Sequence, residues 1–302
     1  MIGESLTDVI VAADGSRTAL PGGSPMNVAY GLGRLGLPTT FATRLGRDPE
    51  GDAIRTHVAS AGVRILDDRP ASATSHAIAR IDAHGAAHYR FAVDWEFEAR
   101  TLPAAAHVHA GSLGAFLPPG GAAVQRYVES LPREVLVSFD PNIRAALLPP
   151  ELDPHAVVQA YCRRADVVKL SDEDSAWLFP GVGAREVLEW ILGCGAAIAV
   201  MTRGAAGSLL LSRRAMVTQS ALPTTVADTI GAGDAFMAGL IGAIWLQGLS
   251  SQALRDADPE QLGRIGRFAA AAAALTVARP GAALPSLAEM EAALQPCPAP
   301  AP

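Results

Sequence analysis

The chain has 302 residues, 30 of them acidic and 24 basic, with a net charge of −6 and half of its residues apolar. Of the basic side chains 23 are Arg, and the single lysine is Lys169. This composition fits a packed α/β protein with one large domain, alone or with a small appendage. It excludes a Gly-Lys-[Ser/Thr] P-loop, and no protein-kinase HRD or DFG string occurs; the acidic balance without a basic run argues against nucleic acid or an anionic membrane as partner.

Met1-Ile2-Gly3-Glu4 carries neither a basic n-region nor an apolar h-region, so no signal peptide is read there. The first strand is predicted to end at Asp8 and to belong to the core. Val9–Leu20 and Ser75–Phe97 contain short β-type runs, with turns at Asp14-Gly15 and His84-Gly85. Both are read as parts of a small antiparallel sheet outside the main layer, a lid or a dimer surface. Ser24-Pro25 opens a helix, with Ser as N-cap and Pro at the first helical position, and Gly36 and Pro38 close it. Thr39–Thr43 reads as a strand. Asp48-Pro49-Glu50 opens a second helix that Gly62 ends.

Further along, helices are expected in Gly120–Leu131, Ala156–Arg164, Ala184–Gly193 and Pro259–Ala278. Buried strands are expected at His107–Ala110, Val135–Phe139, Val167–Lys169 and Ala197–Met201. This alternation predicts a mainly parallel sheet covered by helices. The division expected is core 1–8, lid 9–21, core 22–66, lid 67–99, core 100–294 and a frayed tail 295–302. Trp177 and Leu178 are read as core. The sparse cysteines Cys162, Cys194 and Cys297 read as free thiols of a cytoplasmic protein. Ala235–Leu246 and Phe268–Ala278 are apolar but too short to span a bilayer.

The most informative string is Asp228-Thr-Ile-Gly231-Ala232-Gly233-Asp234-Ala-Phe236, which opens a helix whose apolar stripe runs through Phe236, Met237, Leu240, Ile241, Ile244 and Trp245. Glycines at a helix N-terminus leave amides unpaired at its positive end, a site for an anion. A carboxylate beside a bound phosphate repels it, so Asp234 makes sense as the base that takes a proton from an attacking hydroxyl. An anion hole with a carboxylate points to phosphoryl transfer from a nucleotide to an alcohol.

Weaker strings surround it. Gly22-Gly23-Ser24-Pro25-Met26-Asn27 brings glycines to a helix start with an amide in the first turn, suited to a polyol hydroxyl, and Asp8 is a second hydroxyl acceptor. Asp140-Pro-Asn142-Ile-Arg144 and Thr202-Arg-Gly204-Ala-Ala-Gly207 each follow a predicted strand, where ligands of α/β sheets gather. His107 and His109 share a strand face, as in zinc sites, but no third ligand lies nearby in sequence.

Together these strings resemble the ribokinase-like (PfkB) carbohydrate kinase family. Gly22-Gly23…Asn27, followed by Arg44-Leu-Gly-Arg-Asp48…Gly51, is similar to its N-terminal signature, and Asp228–Asp234 matches its C-terminal one. The likeness runs from about Ile2 to Leu294. It implies a three-layer α/β/α sandwich with a mainly parallel central sheet and a small β-sheet lid. The implied reaction is ATP-dependent transfer of the γ-phosphate to a primary hydroxyl.

By this resemblance Asp234 is the base, and the amides of Gly231, Ala232 and Gly233 are the anion hole. Asp8, Gly23, Ser24 and Asn27 hold the sugar, with Asn142 and Arg144 nearby. Thr202, Gly204 and Gly207 face the nucleotide phosphates. Ser171 and Asp174 stand where the family's NxxE block organises Mg²⁺ through water. Asp228, Ile230, Thr276, Arg279, Gly281 and Ser286 take the places of K⁺ ligands, in a loop one residue longer than usual. The start Gly3–Asp8 and the run Val-Lys-Leu-Ser-Asp-Glu are most like fructokinases, so fructose is the expected substrate. Ribose, 2-keto-3-deoxygluconate and nucleosides remain alternatives, Arg90 or Arg144 suiting a sugar acid, as does a non-catalytic sugar or nucleotide sensor. A homodimer through the lid is expected. Lys169 is expected beside the metal loop, with no step depending on it.

Overall fold

The structure is a computed structural model that describes every residue except 12, 13, 15, 67–70, 82–86, 100, 101 and 296–302. The turns expected at Asp14-Gly15 and His84-Gly85, and the tail beyond Gln295, fall wholly or partly outside the described residues.

The first part of the chain forms β1 (Leu6–Val11), β2 (Arg17–Gly22), α1 (Ser24–Arg34), β3 (Thr40–Ala42), α2 (Pro49–Ser60), β4 (Arg64–Leu66), β5 (His76–Ile81) and β6 (Ala87–Ala92). The middle forms β7 (His107–Gly111), α3 (Leu113–Phe116), α4 (Gly120–Ser130), β8 (Leu136–Asp140), α5 (Pro154–Arg164), β9 (Val167–Ser171), α6 (Asp172–Leu178), α7 (Ala184–Cys194) and β10 (Ile198–Thr202). β11 (Ser208–Ser212), β12 (Met216–Gln219), α8 (Ala232–Leu246), α9 (Ser251–Arg255), α10 (Pro259–Val277) and α11 (Leu287–Leu294) complete it.

The main sheet has the order β12-β11-β10-β9-β8-β7, parallel from β7 to β10 and antiparallel at its β11-β12 edge. Ile2 bridges both Ala110 and Ala42, which carries the layer on to the parallel pair β3-β4. Strand residues alternate between two cores, as the twofold period of a strand requires. Val167, Ile198, Val200 and Leu210 join α1, α8 and α10. Val168, Leu170, Ala199, Met201, Leu209 and Leu211 join α4, α5 and α7. The result is the three-layer α/β/α arrangement that the resemblance implied. No helix among the described residues is long and apolar enough to cross a membrane.

The small sheet has the order β2-β1-β5-β6. It departs from the sequence reading in two ways. β1 pairs with β5 in parallel, so the sheet is mixed. The N-terminal segment contributes only the Ile2 bridge to the main layer, and the strand bearing Asp8 lies in the small sheet.

Helix α8 is buried all round from Ala235 to Ile244 rather than along one stripe, because it lies between α1 and α10. Small residues permit that approach. A Cβ at Gly239 would lie 2.7 Å from Ala269 Cα, and one at Gly31 would lie 2.9 Å from Ala238 Cβ. Trp177, read as core, is 46% exposed, since the short α6 turns Asp174 and Ser175 inward instead.

Candidate active site

Three chain segments meet at one end of α8. The first is the start of α1. Its N-cap is Gly23 at φ 105°, a conformation that excludes most side chains. Ser24, read as the cap, is instead the first helical residue. Its Oγ donates to Asp234 Oδ1 at 2.6 Å, and Asn27 Nδ2 donates to Asp234 Oδ2 at 2.7 Å. The two strings that the sequence keeps 207 or more positions apart form one hydrogen-bonded unit.

The second segment is the turn into α8. Gly231 is its N-cap, in the left-handed region at φ 76°. The Ala232 amide donates to Thr229 O at 3.2 Å. Among the described residues the Gly233 and Asp234 amides make no backbone hydrogen bond, so they are donors left open at the positive end of a 15-residue helix.

The third segment is the carboxyl edge of the main sheet. Asp140 ends β8, and its Oδ2 accepts from Lys169 Nζ at 2.7 Å, with both residues buried. Burial pushes the Asp140 carboxyl up to about 6, against the lysine charge. Burial works against the charge on Lys169, yet the carboxylates of Asp140, Asp174 and Asp234 together outweigh it and the lysine pKa is raised. Asn142 and Ser112 both adopt positive φ, 39° and 50°, and Asn142 Nδ2 donates to Ser112 Oγ at 3.3 Å. Such backbone is costly outside glycine and collects at functional sites. Beneath them Glu4 accepts the Gly114 amide at 2.6 Å; burial raises its carboxyl to about 7, against this bond and one from Ser112. Glu4 escapes a motif search, since its role depends on contact with a loop 110 positions away.

Asp8 stands on β1 with its carboxylate over Gly22, where a Cβ would lie 2.1 Å from Oδ2. Burial raises its pKa, the Arg144 guanidinium lowers it, and Asp234 raises it, so the three charges share one space. Arg90 is different. Asp8 lies in register with Ala77, and Ala77 with Phe91, so Arg90 falls on the opposite face of the small sheet. That position removes Arg90 from the sugar-acid reading.

Ser171 and Asp174 form a capping box at α6. Ser171 Oγ accepts the Asp174 amide at 2.9 Å, and Asp174 Oδ2 accepts the Ser171 amide at 3.0 Å. Asp174 Oδ1 accepts the Ile143 amide at 2.7 Å, which ties this turn to the loop after β8. Thr202 lies abreast of Ser171 at the end of β10, and its Oγ1 donates to Leu170 O at 3.5 Å. Gly204 and Gly207 turn the chain from β10 into β11. At Gly207, φ 81°, a Cβ would lie 2.1 Å from Gln219 O.

Asp228 joins the loop before α8 to the loop after α10. Its Oδ1 accepts from Ile230 N at 3.0 Å and its Oδ2 from Gly281 N at 2.8 Å. Thr276, nearby on α10, donates its hydroxyl to Ala272 O. Arg279 pairs with Glu289, which also accepts the amide and hydroxyl of Ser286, so that serine caps α11. His107 Nε2 and His109 Nδ1 both bond Ser138 Oγ, at 2.8 and 2.9 Å. Among the described residues no group of three or more His, Cys, Asp or Glu is placed to hold a metal ion.

Comparison with known proteins adds to this geometry. Residues 1–289 match the model of the pfkB family carbohydrate kinases. A fructokinase of Escherichia coli is 31% identical over 306 residues, covering 96% of this chain and 97% of that protein. The crystal structure of a fructokinase from Vibrio cholerae O395, with fructose, ADP and calcium ion bound, superposes with a TM-score of 0.82 at 27% identity, covering 98% of each chain. A fructokinase from Xylella fastidiosa with bound ATP gives a TM-score of 0.80 at 27% identity, covering 97% of this chain and 96% of that one.

Proposed function

The chain belongs to the pfkB family of carbohydrate kinases, and from that premise we propose that its sugar is fructose and its phosphate donor ATP. The observation that carries the reading is Asp234, held by Ser24 and Asn27 of the α1 start beside the open amides of the α8 turn. The similarity to fructokinases across nearly the whole chain supports the choice of sugar.

The sugar lies between the start of α1 and the small sheet. Asp8, Gly23, Ser24 and Asn27 face it from those two elements, with Asn142 and Arg144 at the sheet edge. Asp234 accepts the proton of the primary hydroxyl. The hydroxyl oxygen then bonds to the γ-phosphorus, and the bond from that phosphorus to the β-phosphate oxygen breaks. ADP departs with the electron pair. The open amides of Gly233 and Asp234, and not that of Ala232, which Thr229 O already holds, face the oxygens on which charge collects. Thr202, Gly204 and Gly207 contact the remaining phosphates.

Mg²⁺ bound with the nucleotide neutralises part of the phosphate charge. Asp174 and Ser171 fit a water-mediated shell, because both Asp174 oxygens already accept amides and keep only their outer lone pairs. A K⁺ site fits the meeting of the two loops that Asp228 joins. Asp228, Ile230, Thr276, Arg279, Gly281 and Ser286 would serve it, chiefly through carbonyl oxygens. The exposed Ile10 and Leu20 of the small sheet suit a homodimer through the lid. The free thiols Cys162 and Cys194 suit the cytoplasm.

The test is turnover of ATP with Mg²⁺ against fructose, ribose, 2-keto-3-deoxygluconate and nucleosides, with and without K⁺. Fructose is expected to give the highest kcat/KM and a product phosphorylated on a primary hydroxyl. A higher kcat/KM for another acceptor would replace fructose. Sugar binding without a phosphorylated product would favour the sensor.

A further inference from the structure

Lys169 does not sit idly beside the metal loop. It occupies the middle of β9 on the face that Val167, two residues earlier, turns towards α8. Its register partner Val200 belongs to the same apolar cluster. A lysine in such a row is costly unless paired, and a hydrophobic pair of similar volume would serve stability at least as well as the ion pair with Asp140. Packing alone therefore does not account for the charge.

Its position does. A Cβ built on Gly233 would lie 3.3 Å from Lys169 Nζ, so the ammonium lies against the turn that carries the open amides. Asp140, Asp174 and Asp234 all lie within its electrostatic reach. An ammonium carries three N–H donors. One goes to Asp140, and among the described residues no other acceptor takes the remaining two. Asp140 Oδ1 is likewise buried without a partner.

We propose that Lys169 is a phosphate-contacting catalytic residue. Asp140 fixes its ammonium under the α8 turn, and a free N–H donates to a non-bridging oxygen of the phosphoryl group seated there. The absence of Gly233 side-chain atoms opens the path between the two. This contact rests on the kinase reading above. It adds a side-chain cation to an anion hole otherwise made of amides, and it strengthens as charge builds on the transferred group.

The test compares wild type with Lys169→Met and with the charge-neutral pair Lys169→Met/Asp140→Asn, which avoids stranding a buried carboxylate. AMP-PNP and ADP affinities are measured by calorimetry, and kcat and sugar KM in the steady state. Both variants are expected to lose about tenfold or more in AMP-PNP affinity while ADP affinity stays within about threefold. The kcat is expected to fall about a hundredfold with sugar KM within about threefold. A small alkylamine is expected to restore part of the turnover of Lys169→Ala.

Equal losses for ADP and AMP-PNP, or affinities and kcat within twofold of wild type in the double variant, would overturn the proposal. The nucleotide comparison needs no sugar, so a failure of wild type to phosphorylate fructose leaves it readable.

Discussion

Asn27 Nδ2 donates to Asp234 Oδ2 at 2.7 Å, so the amide expected to hold sugar also holds the carboxylate proposed as the base. With Ser24 on the other oxygen, the carboxylate is fixed from the first turn of a neighbouring helix. Each oxygen retains a lone pair for the incoming hydroxyl proton.

Replacing Asn27 with Ala removes a hydrogen bond to a charged group, worth about 1.5–3 kcal/mol. The kcat of Asn27→Ala is therefore expected to fall about 10- to 100-fold. Steady-state kinetics at saturating ATP check this. A variant with unchanged kcat and only a raised sugar KM would mean that Asn27 serves the sugar and not the base.

Replacing Asp234 with Asn removes the proposed base itself. Turnover is expected to fall by about 10²–10⁴-fold, with sugar affinity mostly kept. Calorimetry with the sugar alone separates the two quantities. Retention of more than about a tenth of wild-type turnover would dismiss Asp234 as the base.

Gly22 is needed for what lies above it. A methyl group there would stand 2.1 Å from Asp8 Oδ2 and would push that carboxylate off its position. Gly22→Ala is expected to raise sugar KM about tenfold while kcat stays within about threefold, the pattern of lost uniform binding. A kcat that falls as steeply as KM rises would place Asp8 in the chemical step.

The His107–Ser138–His109 cluster sets an acid limit on stability. Burial holds both imidazoles neutral, His107 at about 3 and His109 well below its ordinary value; the N-terminal amine lowers His107 further, and His107, that amine and Lys169 lower His109. In the unfolded chain both protonate near pH 6.5. Below that pH the unfolded state binds more protons, so this contribution is full above about 6.5 and is lost as pH falls towards 3. Glu4 acts in the opposite sense. Its raised value favours the folded state at low pH, an advantage lost as pH rises through about 7. The two effects are separable by His109→Gln, which bonds Ser138 but does not titrate. Between pH 7 and 5 this variant is expected to lose about 1–2 kcal/mol less stability than wild type. Denaturant melts at the two pH values measure it, and parallel losses in the two proteins would count against the buried-histidine account.

Strand ends and helix starts leave local marks in a sequence, and much of the candidate site falls at them. Val135–Phe139 and Ala197–Met201 were each expected within one residue of β8 and β10. The glycines before Asp234 mark a helix start whatever surrounds it. Contacts made across the chain left no such mark. Nothing near Ser24 says that its hydroxyl reaches Asp234 instead of capping its own helix. Lys169 reads as one polar residue in an apolar strand, and only the folded sheet puts it against Gly233. The antiparallel edge β11-β12 was missed for a different reason. The residues Arg213-Arg214-Ala215 that join the two strands hold no Gly, Asn or Asp, so the hairpin has no turn mark.

The close seat of Gly31 against Ala238 has a consequence for motion. Helices α1 and α8 form one packed block, and the proposed base Asp234 with both of its holders rides on it. Asp8 alone among the groups proposed to face the sugar belongs to the small sheet. On the proposed reading, movement of that sheet would change how long a sugar stays and how dry it is kept, while Ser24 and Asn27 fix the aim of the Asp234 carboxylate. A gate and a trigger so placed would be mechanically separate parts, and the gate could be retuned for another sugar without realigning the trigger.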